Sequence, residues 1–226
     1  MSRVAAAVAA AGCFTAALLS LAWSWGDLAV NAARAPENPK RLSQMTPQRW
    51  REAFDRLYQA RALDPLNARY AAELGRHYAW LSWRSGGVAD AARPYRWRSA
   101  AAYAEAIGHR PSWGYAWANY AEARLMAGAA GEQTRDALER ALTLAPWETK
   151  TQSKSLLVAF SVWDDLSEGQ RAKAEAILGR ALLVGDDLDL VLRLAVHAGK
   201  ARLVESMLTP GRQRELLDRI IAQSGR

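Results

Sequence analysis

The sequence is poor in the residues that most often carry chemistry. It has one cysteine, Cys13, and three histidines in 226 residues. A single cysteine excludes an intramolecular disulfide framework and cannot complete a thiolate metal site. His77, His109 and His197 lie far apart, and none stands in His-x3-His or His-Glu-x2-His spacing. Such spacing sets two imidazoles on one helix face around zinc. The chain also lacks a Gly-x-Ser-x-Gly elbow, a Gly-x4-Gly-Lys-Ser/Thr phosphate loop and a Gly-x-Gly-x2-Gly turn. No stretch alternates apolar and polar residues over strand length with β-branched enrichment, so an exposed-face sheet is excluded. The expectation is an all-α protein that is not an enzyme and holds no cofactor and no metal. Two acid pairs, Asp164-Asp165 and Asp186-Asp187, fall where helices end or begin. There, turn formation and N-capping explain them more simply than acid–base catalysis.

Half of the residues are apolar, which supports a folded core, and the net charge is +7 with a pI near 9.8. That balance suits an acidic partner: an anionic polymer, an anionic membrane surface or nucleic acid. Val4 to Trp23 is a run without a charged side chain, nine of whose residues are alanine. A helix that long is just sufficient to cross a bilayer. Arg3 precedes the run, Trp23 and Trp25 mark its exit, and the next basic residue is Arg34. The asymmetry predicts a cytoplasmic N-terminus and everything after Gly26 on the far side. An uncleaved signal anchor is the first reading. A cleaved signal peptide would need Ala33-Arg34-Ala35 as its site, about a dozen residues past the apolar run. A lipoprotein site at Ala10-Ala11-Gly12-Cys13 has too short an apolar run before it. An anchor also removes nucleic acid from the partners, because the domain then lies outside the cytoplasm.

Leu28 to Met45 carries Pro36 and Pro39 without a helical apolar period and reads as an extended linker. Thr46-Pro47 then signals a helix start. Helices are predicted from there to about 63, from Leu66 or Asn67 to about 84, and over 93–107, 112–127, 131–144, 148–163 and 167–183. Three more follow, near 187–198, 200–208 and after Thr209-Pro210-Gly211. A small residue, a bulky one, an alanine and a turn residue recur in one frame: Ala53-x3-Leu57-x2-Ala60-x4-Pro65, Ser99-x3-Tyr103-x2-Ala106-x4-Pro111, Thr134-x3-Leu138-x2-Ala141-x4-Pro146 and Ala174-x3-Leu178-x2-Ala181-x4-Asp186. Such recurrence signals stacked helix pairs. The small residues admit a neighbouring helix, the bulky one fills the gap, and proline stops the helix. The first copy has no evident partner helix before it.

These residues resemble the tetratricopeptide repeat over roughly 50–186. Leu74, Gly75 and Tyr78 match that family's first helix, with Ala71 in place of tryptophan, and Trp117 matches the tryptophan of the next. The alanines at 60, 106, 141 and 181 are unevenly spaced, and a loop insertion including Ser85 to Ala92 accounts for the widest gap. Four phrases narrow the resemblance: Pro36-Glu37-Asn38-Pro39, Leu74-Gly75-Arg76-His77-Tyr78-Ala79-Trp80, Arg110-Pro111-Ser112-Trp113-Gly114-Tyr115-Ala116-Trp117 and Ala145-Pro146-Trp147-Glu148. With the anchor, they resemble the membrane-anchored helical-repeat proteins of bacterial exopolysaccharide systems, of which the VpsP family is one. That resemblance implies a role in polysaccharide biosynthesis or export, as an assembly factor.

The candidate contact residues are Arg84, Arg93, Tyr95, Arg96 and Arg98, because arginines interleaved with rings bind phosphate, carboxylate or sugar. The bland alternative puts Trp97 in the core and the arginines on a solvated face. Of the ten tryptophans, Trp80, Trp83, Trp113, Trp117 and Trp147 are expected to pack between helices, and His77 to be a satisfied surface residue. The expected layout is an anchor over 1–27, a linker over 28–46, tetratricopeptide-like repeats over 47–186 and C-terminal helices over 187–226. The expected protein is a single-pass bacterial inner-membrane protein with a periplasmic domain, held in the membrane by residues 4–23. It docks protein partners of an envelope or polysaccharide assembly. The rival readings are a general periplasmic adaptor, in cytochrome maturation or envelope assembly, and an accessory subunit holding an anionic glycan.

Overall fold

A computed structural model describes residues 3–33, 44–86, 90–184 and 188–224. The regular structure of the described residues is all helical, with no strand. They form α1 (Arg3–Ala33), α2 (Pro47–Leu63), α3 (Ala68–Arg84), α4 (Arg93–His109), α5 (Gly114–Met126), α6 (Glu132–Leu144), α7 (Thr149–Ser161), α8 (Glu168–Val184), α9 (Leu188–His197), α10 (Ala201–Glu205) and α11 (Arg212–Ser224). Local chemistry sets the boundaries. Thr46 caps α2 by accepting from the Arg49 amide at 3.3 Å, with Pro47 at the first helical position. Asn67 caps α3 in the same way from the Arg69 amide at 3.1 Å. α2 stops one residue before Asp64, which precedes Pro65 and is thereby pushed out of the helical region.

The recurring frame is the packing frame. All twelve of its helical positions are buried: Ala53, Leu57 and Ala60; Ser99, Tyr103 and Ala106; Thr134, Leu138 and Ala141; Ala174, Leu178 and Ala181. Each full burial of a leucine contributes roughly 1.5–3 kcal/mol of transfer free energy. The alanines contribute little by area but let the helices approach. α3 packs most extensively against α4, α5 against α6, and α1 against α2. Gly75 of α3 shows how close the approach is, since a Cβ there would sit 2.8 Å from the Tyr103 ring. Ser99 closes the same contact by donating to the Gly75 carbonyl at 2.8 Å.

Side-chain pairs give the directions of the helices. Asp27 of α1 meets Tyr70 of α3 and, further along, the Ala33 carbonyl meets His77, so these two helices run the same way. Lys154 of α7 pairs with Glu122 of α5, Arg61 of α2 with Glu105 of α4, and Lys173 of α8 with Glu139 of α6 at 2.7 Å. Arg98 and Tyr103 of α4 meet Tyr78 and Gly75 of α3, and Arg124 and Gly114 of α5 meet Thr134 of α6 and Ala145 at its end, so these neighbours are antiparallel. With short turns at 110–113 and 145–148 folding α5 and α7 back on their predecessors, the odd-numbered helices from α1 to α7 run parallel and the even-numbered ones return between them. One core cluster runs from Ala121 of α5 through α6–α9 to Ile220 of α11. A second joins Val30 and Ala33 of α1 to Leu57, Tyr70 and Leu74.

Three expectations are corrected here. α1 continues through Leu28–Ala33, inside the stretch read as extended; Val30 and Ala33 are apolar, one turn apart, and bury against α2 and α3. Pro36 and Pro39 lie outside the described residues, as do Asp186 and Asp187. The first copy of the frame also has a partner helix before it, namely the last two turns of α1. His77 is fully buried, with Nδ1 2.8 Å from the Glu73 carbonyl and Nε2 3.0 Å from the Ala33 carbonyl. It sits edge-on to Trp50 and Phe54, so the polar environment that keeps a histidine at the surface is supplied here by two carbonyls inside the fold.

Residues Ala7–Ala33 are long and apolar enough to cross a membrane. The part ahead of the docked end, Ala7 to Trp25, spans about 28 Å at 1.5 Å per residue, close to the ~30 Å of a bilayer's hydrocarbon layer.

Candidate functional site

A groove of about 880 Å³ crosses the array, lined by side chains of α3, α4, α5, α7 and α9. Its positions recur at helical spacing. α3 contributes Glu73, Arg76, Trp80 and Trp83, α5 contributes Tyr115, Asn119, Glu122 and Met126, and α7 contributes Lys150, Ser153, Lys154 and Leu157. The first two sets step by three and four residues and the third follows i, i+3, i+4, i+7, which places each on one helix face. Because α3, α5 and α7 run parallel, the three faces align side by side.

The floor is rigid. Tyr103 is buried beneath it, and burial drives its hydroxyl well above the ordinary phenol value. Burial also raises Tyr115. Asn119 donates to the Tyr115 carbonyl at 2.7 Å, and Arg76 is hydrogen-bonded to Glu73. Burial pulls the Lys154 ammonium down, but its hydrogen bond and ion pair with Glu122 outweigh that and hold it above the ordinary lysine value. The walls are aromatic. Trp80 and Trp83 meet edge-to-face at 5.9 Å, and Trp113 and Tyr115 lie 5.4 Å apart. Five cationic side chains, Arg69, Arg76, Arg96, Lys150 and Lys154, face three carboxylates, Glu73, Glu122 and Glu148. Among the described residues, no histidine or cysteine lines it. Among the described residues, no three His, Cys, Asp or Glu side chains gather as metal ligands. The surface offers π-faces, alternating charge and amide donors, a combination suited to holding a chain segment.

The five arginine and tyrosine candidates do not converge. Arg84 donates to the Met45 carbonyl at 2.9 Å, at the start of the α2 side. Arg93 and Arg98 are exposed, with Arg98 5.9 Å from the Tyr78 ring centre, and Tyr95 is half-buried. Only Arg96 lines the groove. It is 8% exposed and donates through Nη1 to the Met126 carbonyl in the last turn of α5. Trp97, expected in the core, is 40% exposed, and Arg124 lies 5.9 Å from its ring centre. The helical phase explains the exchange: Arg96 precedes Ser99, Ala100 and Tyr103 by three, four and seven residues, so it falls on the buried stripe and Trp97 falls beside it. Trp83 and Trp147 are likewise exposed rather than packed between helices, and Arg180 stacks 4.5 Å over Trp147.

Asn119, Glu122, Lys150 and Lys154 escaped sequence reasoning. Their signal was the three–four spacing of polar residues along α5 and α7, which resembles an ordinary solvated face until the parallel stacking is known. Asp164 and Asp165 fall in a single 3₁₀ turn, with Asp164 held by Lys200 at 3.0 Å, in keeping with a turn role. No protein-family model matches the chain, and none of the curated proteins matches it.

Proposed function

We propose that the chain is a non-enzymatic scaffold, anchored in a bacterial inner membrane by α1, with a tetratricopeptide-like domain in the periplasm. It docks a segment of a partner protein of an envelope assembly, with exopolysaccharide biosynthesis or export as the process. The supporting observation is the groove across α3, α5 and α7. A segment laid along it meets several parallel helices at once, which is how stacked helix pairs hold extended peptides or helices. Its aromatic walls and alternating charges suit an amphipathic segment carrying more acidic than basic residues. The anchor raises the local concentration of a membrane partner and fixes its orientation.

Photocrosslinking tests the reading. A crosslinking amino acid is placed at Trp83 or Lys150 in the groove and at Glu175 on α8, in cells. The expected result is a protein adduct at the groove positions that is absent at Glu175. Equal adducts at all three, or none at the groove, overturn it. The glycan reading rests on the exposed pair Arg93 and Arg98 with Tyr95 between them. Retention of an anionic polysaccharide by the immobilised full chain, lost with Arg93→Ala and Arg98→Ala while groove adducts persist, would transfer the function to that face.

A further inference from the structure

α1 and α3 are locked in register. Tyr70 donates to Asp27 Oδ1 at 3.0 Å, Arg69 to Asn31 Oδ1 at 2.6 Å, and His77 Nε2 lies 3.0 Å from the Ala33 carbonyl. The paired positions are 43, 38 and 44 residues apart. The two helices are parallel, so the same offsets carry back to the turn before α3. Leu66 then lies level with positions 22 to 28 of α1, the stretch that holds Trp23 and Trp25 and closes the apolar run.

The tip of that turn is apolar. Asp64 turns toward the protein, where its Oδ2 accepts from the Asn67 side chain at 3.0 Å, and it is half-buried. Pro65 and Leu66 are left outermost, with Leu66 72% exposed and Leu63 40% exposed at the end of α2. On α1 at the same level Trp23, Trp25 and Leu28 are also exposed. An exposed leucine alone means nothing. Leu63, Leu66, Trp23, Trp25 and Leu28 at one height along a membrane-length helix form a belt of the kind that settles at the boundary of headgroups and acyl chains.

We propose that the Leu63–Leu66 turn is a second membrane contact, seated in the interfacial layer of the leaflet from which α1 emerges. This rests on the reading of α1 as a membrane anchor. The occupant of the turn is lipid rather than protein, because the register puts it at the depth where α1 itself leaves the hydrocarbon. With α1 and the turn both embedded, the domain has two points of attachment, and the N-terminal end of α3 faces the bilayer.

The test uses the full chain with Cys13→Ser, carrying one cysteine at a time: Phe14→Cys in α1, Leu66→Cys at the turn, and Ala130→Cys in the α5–α6 loop at the opposite edge. Each is labelled with an environment-sensitive fluorophore and reconstituted in phosphatidylethanolamine–phosphatidylglycerol vesicles with nitroxide-bearing lipids. The labels at 14 and 66 are expected to lose fluorescence to the lipid quencher and to resist aqueous iodide, and the label at 130 to do the reverse. Lipid quenching at 14 but not at 66 overturns the turn contact and leaves the anchor standing. No lipid quenching at 14 overturns the anchor, and this proposal with it. Quenching at 130 equal to that at 66 refutes the upright register. Iodide protection at 66 without lipid quenching means that a second copy covers the turn, and also overturns the proposal. Leu66→Glu, at an exposed position that folding does not use, is expected to abolish lipid quenching of a label at Leu63→Cys.

Discussion

Gly114 opens α5 against the end of α6, and its lack of a side chain is a packing requirement with a calculable cost. A Cβ built there would lie 2.5 Å from the Ala145 Cβ, 2.9 Å from the Ala145 backbone nitrogen and 3.2 Å from the Leu144 carbonyl carbon. Two of those three atoms are backbone, held by the Ala145 amide's hydrogen bond to the Ala141 carbonyl at 3.0 Å. No rotamer change relieves the clash, so the helices must separate. Overpacking of this kind costs about 1–3 kcal/mol, and the small propensity gain of alanine at a helix start offsets only a fraction of it. Gly114→Ala should therefore destabilise by about 2 kcal/mol, lowering the midpoint of thermal unfolding by about 4–8 °C for a domain of this size. Urea unfolding of the full chain in detergent micelles, followed by tryptophan fluorescence, measures it, with Trp113 and Trp147 beside the contact as reporters. Gly108→Ala is the control: nothing lies within 4 Å of a Cβ there, so the same substitution should stabilise α4 by up to about 1 kcal/mol. Adding Ala145→Gly to Gly114→Ala removes the shortest contact and should recover about half of the loss, a coupling that additive effects would not give. A Gly114→Ala protein as stable as the wild type would refute the close-approach account of the helix pairs.

Arg96→Ala should destabilise by about 1.5–3 kcal/mol in urea unfolding, because it removes a buried side chain and its charge-assisted hydrogen bond to the Met126 carbonyl, whereas Arg93→Ala should stay within about 0.5 kcal/mol. A combined substitution of the arginines would thus confuse folding with binding. Burial holds the His77 imidazole below its ordinary value of 6.5, so the native state stays neutral where the unfolded chain takes up a proton. Stability is then fully present above about pH 6.5 and declines as pH falls through the depressed native value. The urea midpoint of the wild type should fall between pH 7 and 5, with a shallower slope in His77→Gln; an identical slope in both would assign the loss to other groups. Tyr70, raised to about 12 by burial and then by its bond to Asp27, should stay protonated through pH 10, so a tyrosinate absorbance with the midpoint of a free phenol at that position would contradict the docked α1.

The helices were legible because they are short-range: caps at Thr46 and Asn67, prolines at 65, 111 and 146, and a small–bulky–alanine frame whose twelve positions all proved buried. What the sequence could not reveal is how one helix lies on the next. Arg96 and Trp97 are neighbours in sequence, and a rotation of one residue in helical phase decides which is buried; the amphiphilicity of arginine, with its apolar stem, hides the answer. Leu28–Ala33 looked like linker because proline and polar residues follow, and only its contact with α2 shows why the helix persists. Groove residues such as Asn119 and Lys154 carry no motif, and stand together only because parallel helices align their faces.

On the proposed reading of α1 as a membrane anchor, its docking on α3 makes it a shaft rather than a tether. Each residue of an α-helix advances about 100° around its axis, so one alanine inserted between Trp25 and Gly26 would turn the lipid-facing surface of α1 by that angle against the domain. Any lateral partner that α1 recognises within the bilayer therefore fixes the compass bearing of the groove outside it. Replacing residues 7–25 by another apolar helix of equal length would keep the protein on the membrane and preserve the height of its groove, while leaving the direction in which the groove opens to whatever the new helix recognises.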